Sequence, residues 1–283
     1  MQARNEQNIP IIDVSKWQGN IDWLRVASST IDDRPIRGAY VKSSEGIGYV
    51  DPLFRRNAVG APAAGLAVGF YHYCRPETGN TAAMEAEHFL ETVAGLPVTL
   101  PYVLDVEGEA ADLGASRLTD WCYEWLSIVE QRTGHRCMVY SGGFFARSYL
   151  GSKLARWPLW VAHYGVDTPM SNGTWDRWAM HQYSETGRVD GIDGRVDLNE
   201  MDLVYWEELT GAPVVEQKTE AVGAMLLEQW QWKMLGDSLD GLYHKGLIGD
   251  YTWAEKAYKG EMTQTELVWL NTIVYARQQG IQV

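Results

Sequence analysis

The sequence predicts an α/β fold, an irregular TIM-like β/α barrel followed by a small all-α domain. Three observations support this fold class. Eight apolar runs have the length of β-strands, helical periodicity separates several of them, and the strand pattern disappears towards the C-terminus. Strands that alternate with helices are typical of a parallel sheet with helices packed outside it. Eight such strands are the number that closes a β/α barrel.

The strand-like runs are spaced along the first 200 residues. They occupy residues 9–15, 36–44, 66–74, 99–107, 136–142, 158–164, 178–183 and 195–199. Apolar residues at three- and four-residue steps predict helices at 51–64, 80–94 and 116–133. The connections between the last strands are too short for full helices, so we expect an irregular barrel.

The barrel is predicted to occupy residues 1–211. Its closing helix is expected to begin at an Asn199 N-cap and to end at Gly211. A linker is predicted at 212–219, and a small helical domain at 220–283. Strand signals are absent from this last part of the sequence, and three helical patterns replace them.

The C-terminal part contains three helical patterns. Residues 221–235 are amphipathic, and a second helix is predicted near 252–259. A capping box from Thr263 to Glu266 predicts a third helix, which is expected to end at Gly280. Several Trp and Tyr residues in this domain predict one of two roles, cell-wall binding or self-association through the helices.

Composition excludes several classes of function. The net charge of −13 and the pI near 4.9 argue against a nucleic-acid partner. No apolar run approaches the roughly 20 residues of a membrane span, so no stable membrane insertion is expected. Three cysteines without close pairing predict buried free thiols. No metal-ligand spacing appears, and neither a metal nor a cofactor is expected.

The first ten residues contain no apolar segment of the kind found in secretory signals. The sequence therefore predicts synthesis in the cytoplasm, unless a leader was removed earlier. Thirteen Trp and fifteen Tyr against five Phe form a second bias. Flat amphipathic rings suit stacking on sugars, but they are also good core residues.

The strand-like runs are mostly apolar and become polar where they end. The terminal polar residues are Asp13, Lys42, His72, Glu107, Ser141, Tyr164, Gln182 and Asp197. In β/α barrels the active site is built at the carboxyl ends of the strands. The sequence therefore predicts a polar site at one rim of the barrel.

Two acids at the end of the fourth run are the strongest chemical signal. Asp105 and Glu107 share one parity, so both side chains point to the same face, separated by about 6–7 Å along the strand. Their repulsion and partial burial should raise the pKa of one of them. Paired carboxylates of this kind are what glycoside hydrolysis requires. The longer Glu107 is the predicted proton donor, and Asp105 is expected to orient the site.

Six sequence blocks together resemble a known family. The blocks are IIDVSKWQGNIDW, YVKSSEGIGYVDPLFRRN, AGLAVGFYHY, VLDVEG, LWVAHYG and VDLNEM. In this order they resemble glycoside hydrolase family 25, the Chalaropsis-type lysozymes or muramidases found in many bacteriophage endolysins. The resemblance covers residues 9 to 209. It implies a barrel whose last strands lack full helices.

The resemblance also implies a site and an activity. It places Asp13, Asp105, Glu107 and Asp197 in an acidic cleft, with Glu107 as general acid and attack by the substrate's own 2-acetamido oxygen as one mechanism. It places the sugar-contacting side chains at Lys42, Tyr71, Tyr140, Trp160, Tyr164 and Gln182. The implied reaction cleaves the β-1,4 bond between N-acetylmuramic acid and N-acetylglucosamine in bacterial peptidoglycan. An endolysin of this kind accumulates in the host cytoplasm before lysis and then acts on the wall.

Other hypotheses remain open from the sequence. A barrel that binds wall glycan without cutting it is the main alternative, and a metal-dependent hydrolase would need His72 or His163 at the rim. His72 fits a core histidine equally well. The side chains of Trp17 and Trp23 are expected to pack against the first helix.

Overall fold

The computed structural model describes residues 1–211 and 227–279. The chain divides into two compact units, Met1–Val214 and Val215–Val283. The linker predicted at 212–219 lies outside the described residues.

The first unit is built on a sheet that closes into an eight-stranded barrel, as the sequence predicts. Its strands are β1 (Ile9–Val14), β4 (Gly38–Glu45), β6 (Ala67–Tyr73), β7 (Tyr102–Asp105), β8 (Cys137–Gly142), β9 (Leu159–Ala162), β10 (Met180–Gly187) and β11 (Val196–Met201). They are ordered β1-β11-β10-β9-β8-β7-β6-β4, and the pairing of β4 with β1 closes the barrel. Three short strands accompany them, β2 (Thr30–Ile31), β3 (Arg34–Pro35) and β5 (Tyr49–Val50).

The last strand of the barrel runs in the opposite direction to the others. β11 is antiparallel to both β1 and β10, whereas the remaining neighbours in the barrel are parallel. A short link from β10 permits only this hairpin arrangement, since a parallel return needs a dozen or more residues. The prediction that Asp197 lies at the carboxyl end of a strand is therefore wrong. Asp197 is the second residue of β11 and pairs with Asp13, which brings it to the same rim.

Helices surround the barrel, and three of them lie where the periodicity predicts. They are α1 (Trp23–Ala27), α2 (Phe54–Ala63), α3 (Ala82–Val93), α4 (Ala115–Thr133), α5 (Gly143–Tyr149) and α6 (Leu203–Thr210). The three helices predicted at 51–64, 80–94 and 116–133 are confirmed as α2, α3 and α4. No α-helix lies between β9 and β10, in a stretch that is fully described, so the irregularity is also confirmed.

The start of α6 differs from the prediction. Asp202 caps this helix, and its side chain accepts a hydrogen bond from the backbone amide of Tyr205 at 3.3 Å. Asn199 lies three residues earlier, inside β11, and is not the N-cap. Gly211 ends α6 with φ +66°, as expected. Asparagine has a high N-cap preference, but tertiary pairing of the backbone outweighs it here.

The barrel unit has two apolar layers. One fills the barrel interior and includes Tyr40, Val103 and Trp160. The other lies between the sheet and the helices and includes Leu104 and Trp125. Neighbouring residues of β7 face opposite layers, as strand alternation requires. The three cysteines, Cys74, Cys122 and Cys137, are buried and free, which confirms the prediction of unpaired thiols.

The second unit contains three helices with their own core. They are α7 (Gln229–His244), α8 (Thr252–Lys259) and α9 (Gln264–Gln278). The predicted helix at 252–259 and the Thr263–Glu266 capping box are both confirmed. Residues 221–226 of the amphipathic run and the predicted end at Gly280 lie outside the described residues. The described helices include none that is long and apolar enough to cross a membrane.

Candidate active site

A cleft of about 1010 Å³ opens at the rim formed by the carboxyl ends of the parallel strands. All ten site residues predicted from the sequence line it. They are Asp13, Lys42, Tyr71, Asp105, Glu107, Tyr140, Trp160, Tyr164, Gln182 and Asp197. The geometry thus brings together every residue of the predicted set, while the chemical role of each stays a prediction.

Asp105 and Glu107 lie at the mouth of the barrel. Asp105 is the last residue of β7, and Glu107 keeps an extended backbone (φ −159°, ψ −173°), so side-chain alternation continues beyond the strand. Val106, between them, is fully buried in the helix-facing layer. Gly108 then turns the chain with φ +60°, and a Cβ there would lie 2.7 Å from the Tyr73 hydroxyl. The close Tyr73 contact and the positive φ make glycine the residue that fits after Glu107.

Burial dominates the electrostatics of this pair. It raises the pKa of Asp105 well above its usual value, and the charge of Glu107 adds to the effect. Burial also raises the pKa of Glu107, and the positive charge of Lys42 opposes this rise. Oδ1 of Asp105 is buried without a hydrogen-bond partner among the described residues. Repulsion between the two acids contributes as predicted, but removal from water is the larger cause.

Asp13 is held at the centre of a hydrogen-bond network. Its Oδ2 accepts from Nε2 of Gln182 and from Nδ2 of Asn199, both at 2.8 Å. Nε1 of Trp160 donates to Oδ1 of Asn199 at 2.8 Å, which fixes the orientation of the amide. Two donors on one oxygen stabilise the ionised form, but burial is stronger and raises the pKa of Asp13.

Asp197 shares this region with Asp13. The two residues pair across β1 and β11, and their side chains are hydrogen-bonded to each other. Burial, then the charge of Asp13, raises the pKa of Asp197 to about 8. Near neutral pH, Asp197 therefore holds the proton of this hydrogen bond and Asp13 accepts it.

Tyrosines form one wall of the cleft. The hydroxyls of Tyr140 and Tyr164 both donate to Oε1 of Gln182, at 2.8 and 2.9 Å. Burial and nearby acids raise the pKa of Tyr71 well above its usual value, so its hydroxyl keeps its proton. Trp160 is only 2% exposed and packs against Tyr140 at 4.8 Å between ring centroids. It supports the floor of the cleft and offers little of its own surface.

Lys42 is a cation in the lining of the cleft whose charge acts on the acids. Its Nζ pairs with Oε2 of Glu45 at 2.8 Å and lies 4.8 Å from the centre of the Tyr73 ring. Its charge opposes the pKa rise of both Asp105 and Glu107. Arg75 extends the charged edge by pairing with Glu45 at 2.9 Å.

Sequence reasoning missed several residues of the cleft. Asn199 is fully buried beside Asp13, but in the pairing of β1 with β11 it lies opposite Ile11, so no sequence signal pointed to it. Trp17 lines the cleft and is 81% exposed, so the expectation that it packs the first helix is wrong. Trp23 is buried, as expected. Lys16 and Tyr49 also line this part of the cleft.

The histidines do not reach the cleft. His72 is fully buried and its imidazole lies between Ser44 Oγ at 2.9 Å and Glu85 Oε2 at 3.0 Å. It is therefore a hydrogen-bonded core histidine. Nδ1 of His163 accepts from the backbone amide of Met170 at 3.1 Å. A metal-dependent hydrolase would need histidines at this rim, and neither of these lines it.

Comparison with known proteins identifies the family. The sequence profile described as Glycosyl hydrolases family 25 matches residues 12–192. The chain belongs to this family. An uncharacterized protein of Escherichia coli, YegX, is 40% identical over 200 residues, covering 71% of this chain and 71% of that protein.

Two solved structures resemble a large part of this chain. A bacterial lysozyme from Streptomyces coelicolor has a TM-score of 0.63 at 32% identity, covering 70% of this chain and 94% of that one. The CTP1L endolysin has a TM-score of 0.62 at 31% identity, covering 72% of this chain and 70% of that one. The family barrel is thus shared with a lysozyme and an endolysin.

The acidic cleft should make the protein less stable as the pH rises. A carboxyl whose pKa is higher in the folded protein binds its proton more tightly there, so the free energy of unfolding falls between its usual pKa and the raised one. Asp197 moves from 3.8 to about 8, and Asp13, Asp105 and Glu107 shift in the same direction. We expect the thermal midpoint to fall between about pH 6 and about pH 8.

Asp197→Asn is the variant that tests this expectation. An amide still donates to Asp13 but has no proton to lose, so the thermal midpoint should be higher than that of the wild type near pH 8, and the fall shallower. Thermal unfolding followed by circular dichroism over this range measures both. Parallel curves for the two proteins would contradict the assignment of the proton to Asp197.

Proposed function

We propose that the protein is an N-acetylmuramidase that cleaves the β-1,4 bond between N-acetylmuramic acid and N-acetylglucosamine in bacterial peptidoglycan. The observation that carries this proposal is the Asp105–Glu107 pair. Both are carboxyls with raised pKa at the mouth of a barrel, in a cleft lined by tyrosines. Membership of family 25 and likeness to a lysozyme support the same reaction.

Glu107 acts as the general acid. Burial raises the pKa of Glu107 and so favours the protonated carboxyl, the form that can donate to the glycosidic oxygen. As the bond between the anomeric carbon and that oxygen breaks, the proton moves to the leaving sugar. Glu107 becomes a carboxylate, which then takes a proton from the attacking water. The acid is regenerated when water has been added.

The other acids act on the sugar that becomes electron-deficient. Asp105 accepts a hydrogen bond from the N–H of the 2-acetamido group. This bond turns the acetamido oxygen towards the anomeric carbon. Asp13, fixed by Gln182 and Asn199, supplies negative charge that stabilises the oxocarbenium-like state. The protonated Asp197 holds Asp13 in place. Tyr71 keeps an O–H donor available among these acids.

Product analysis tests this function. Purified peptidoglycan is digested with the full chain, the new reducing ends are labelled by borohydride reduction, and the labelled sugars are identified. The proposal expects reduced N-acetylmuramic acid. Reduced N-acetylglucosamine alone would assign a glucosaminidase instead. Wall binding without any new reducing end would favour a glycan-binding barrel that does not cut.

An endolysin is the biological role that fits this chemistry. The likeness to the CTP1L endolysin and the wall substrate support the role. In this proposal the protein accumulates in the cytoplasm of a bacterial host that carries a bacteriophage, and acts on the wall at lysis. A separate membrane-disrupting protein would then let it reach the wall.

The C-terminal unit is proposed to bind the cell wall. Its helices expose several large aromatic side chains, of which Trp230, Trp269 and Tyr275 are 62%, 53% and 64% exposed. Rings of this kind can stack on sugars. Self-association through the same helices is the other role that the sequence predicts.

Truncation after Gly211 separates the two roles. We expect the truncated chain to lose wall cosedimentation by about tenfold or more, because a tethered binding unit raises the local concentration of the catalytic one. Cleavage of soluble glycan should remain. Suppose instead that the truncated chain still sediments with walls, and that analytical ultracentrifugation shows fewer chains per particle than for the full-length protein. That result would assign self-association to the C-terminal unit.

A further inference from the structure

One end of the cleft carries a surface that the proposed mechanism does not use. The loop after β1 places Lys16 and Trp17 in the lining of the cleft, and both side chains are exposed. Trp17 has the largest exposed fraction of the large apolar side chains described, at 81%. An indole this exposed, inside a cleft, is placed for contact with a ligand.

Lys16 and Trp17 continue a row of alternating rings and cations. The Lys16 ammonium lies 5.0 Å from the Trp17 ring and 5.3 Å from the Tyr49 ring. Lys42 follows, 5.9 Å from Tyr49 and 4.8 Å from Tyr73. The row thus leads from the exposed tryptophan towards the acids at the barrel mouth.

The two cations of the row differ in their partners. Lys42 is paired with Glu45 at 2.8 Å. Lys16 forms no ion pair with any carboxylate in the described part of the chain, and its ammonium contacts only aromatic faces. An ammonium group that lies beside aromatic rings and has no carboxylate partner in the protein is suited to form an ion pair with a carboxylate of a ligand.

The backbone that carries these side chains is fixed from several directions. Ser15 N donates to Oε1 of Gln18 at 2.9 Å, and Nε2 of Gln18 donates to the carbonyl of Arg195 at 3.1 Å. The amide of Lys16 donates to the buried carboxylate of Asp51 at 2.9 Å. The polar groups of the turn are thus satisfied internally, while the side chains of Lys16 and Trp17 remain available. A fixed surface loses little entropy on binding.

We propose that Lys16, Trp17 and Tyr49 form a subsite for the carboxylate-bearing substituent of a muramic acid residue. The rings cover the apolar face of the sugar, and the Lys16 ammonium pairs with a carboxylate on the lactyl ether or on the attached peptide. The cleft is otherwise rich in acids, so this cation is what favours an anionic wall glycan over a neutral chitin-like one. The inference rests on the proposed muramidase function.

A matched pair of substrates isolates the charge. Glycan strands stripped of peptide carry a free lactyl carboxylate, and the same strands amidated with ammonia are neutral and of almost equal size. The wild type should prefer the charged form in kcat/KM. In Lys16→Met this preference should fall about threefold, the size expected from an exposed ion pair. Lys153→Met removes an equal charge outside the cleft and should keep the preference.

Trp17→Ala tests the aromatic part. We expect KM to rise about tenfold on both glycan forms, because ring stacking does not depend on the lactyl charge. Intact peptide-bearing strands distinguish the two sources of carboxylate. A larger loss in Lys16→Met on intact strands than on stripped strands would assign the peptide carboxylate.

Glycan binding to the Glu107→Gln variant, which is expected to hydrolyse very slowly, tests the subsite separately from hydrolysis. Calorimetric titration of this variant, with and without Lys16→Met, compares the charged and amidated strands directly. A preference that survives Lys16→Met in both experiments overturns the subsite. Absence of hydrolysis in the wild type, with the binding preference intact, overturns the proposed function alone.

Discussion

Glu107→Gln should reduce kcat on peptidoglycan by about 10³-fold, within the range that loss of a general acid costs. Glutamine fills the same space and can donate a hydrogen bond, but it cannot transfer a proton to the glycosidic oxygen. The acid is placed at Glu107 because its side chain is the longer one of the pair at the barrel mouth, and because burial raises its pKa and favours the protonated form. Release of reducing ends from purified walls measures the loss.

Glu109→Gln is the matched control for this variant. It removes the same charge two residues further along, from a side chain that is 73% exposed and pairs with Arg75 at 3.2 Å. Activity should stay within about twofold, since exposed ion pairs contribute little. Full activity in Glu107→Gln would exclude Glu107 as the acid. A loss of similar size in both variants would mean that overall charge at the mouth, and not proton transfer, limits the rate.

The barrel could be predicted from the sequence because its signals are local. Eight apolar runs with helical periodicity between them fix the number and order of the strands. The direction of β11 could not be read in this way. A hairpin and a parallel crossover give the same apolar run, and only the length of the link from β10 separates them. Asp197 was therefore placed at the correct rim for an incorrect reason.

The site was predicted where chemistry and strand position coincide. Acids at strand ends stand out against apolar neighbours, so Asp13, Asp105 and Glu107 were found. Asn199 was missed because a polar residue at the end of a strand also fits an N-cap, and its contact with Asp13 spans 186 residues of sequence. Trp17 was missed because a tryptophan beside a predicted helix usually packs against it. Exposure of that ring depends on the turn between Ser15 and Gln18, which only the structure reveals.

Glu200→Gln should lower the free energy of unfolding by about 3 kcal/mol, the scale expected when a buried ion pair loses one partner. Glu200 is 1% exposed at the barrel end opposite the cleft, where it pairs with Pro10 at the start of β1. Its Oε1 accepts from Arg34 at 2.6 Å and from Arg4 at 3.0 Å, and its Oε2 accepts from Asn8 at 3.2 Å. Glutamine would leave the guanidinium of Arg4 without an anion and that of Arg34 with Asp32 alone, at 3.7 Å.

Urea unfolding followed by far-ultraviolet circular dichroism measures this loss, with Glu208→Gln as control. Glu208 is 58% exposed and 3.8 Å from Arg136, so its replacement should change the free energy of unfolding by less than about 0.5 kcal/mol. Because Asp197 and Glu200 lie towards opposite ends of β11, the Glu200 variant should keep its kcat at temperatures where it remains folded. Equal stability of the two variants would mean that water or Asn8 compensates for the lost charge. A fall in kcat without a fall in stability would mean that β11 transmits strain from the buried ion pair to Asp197.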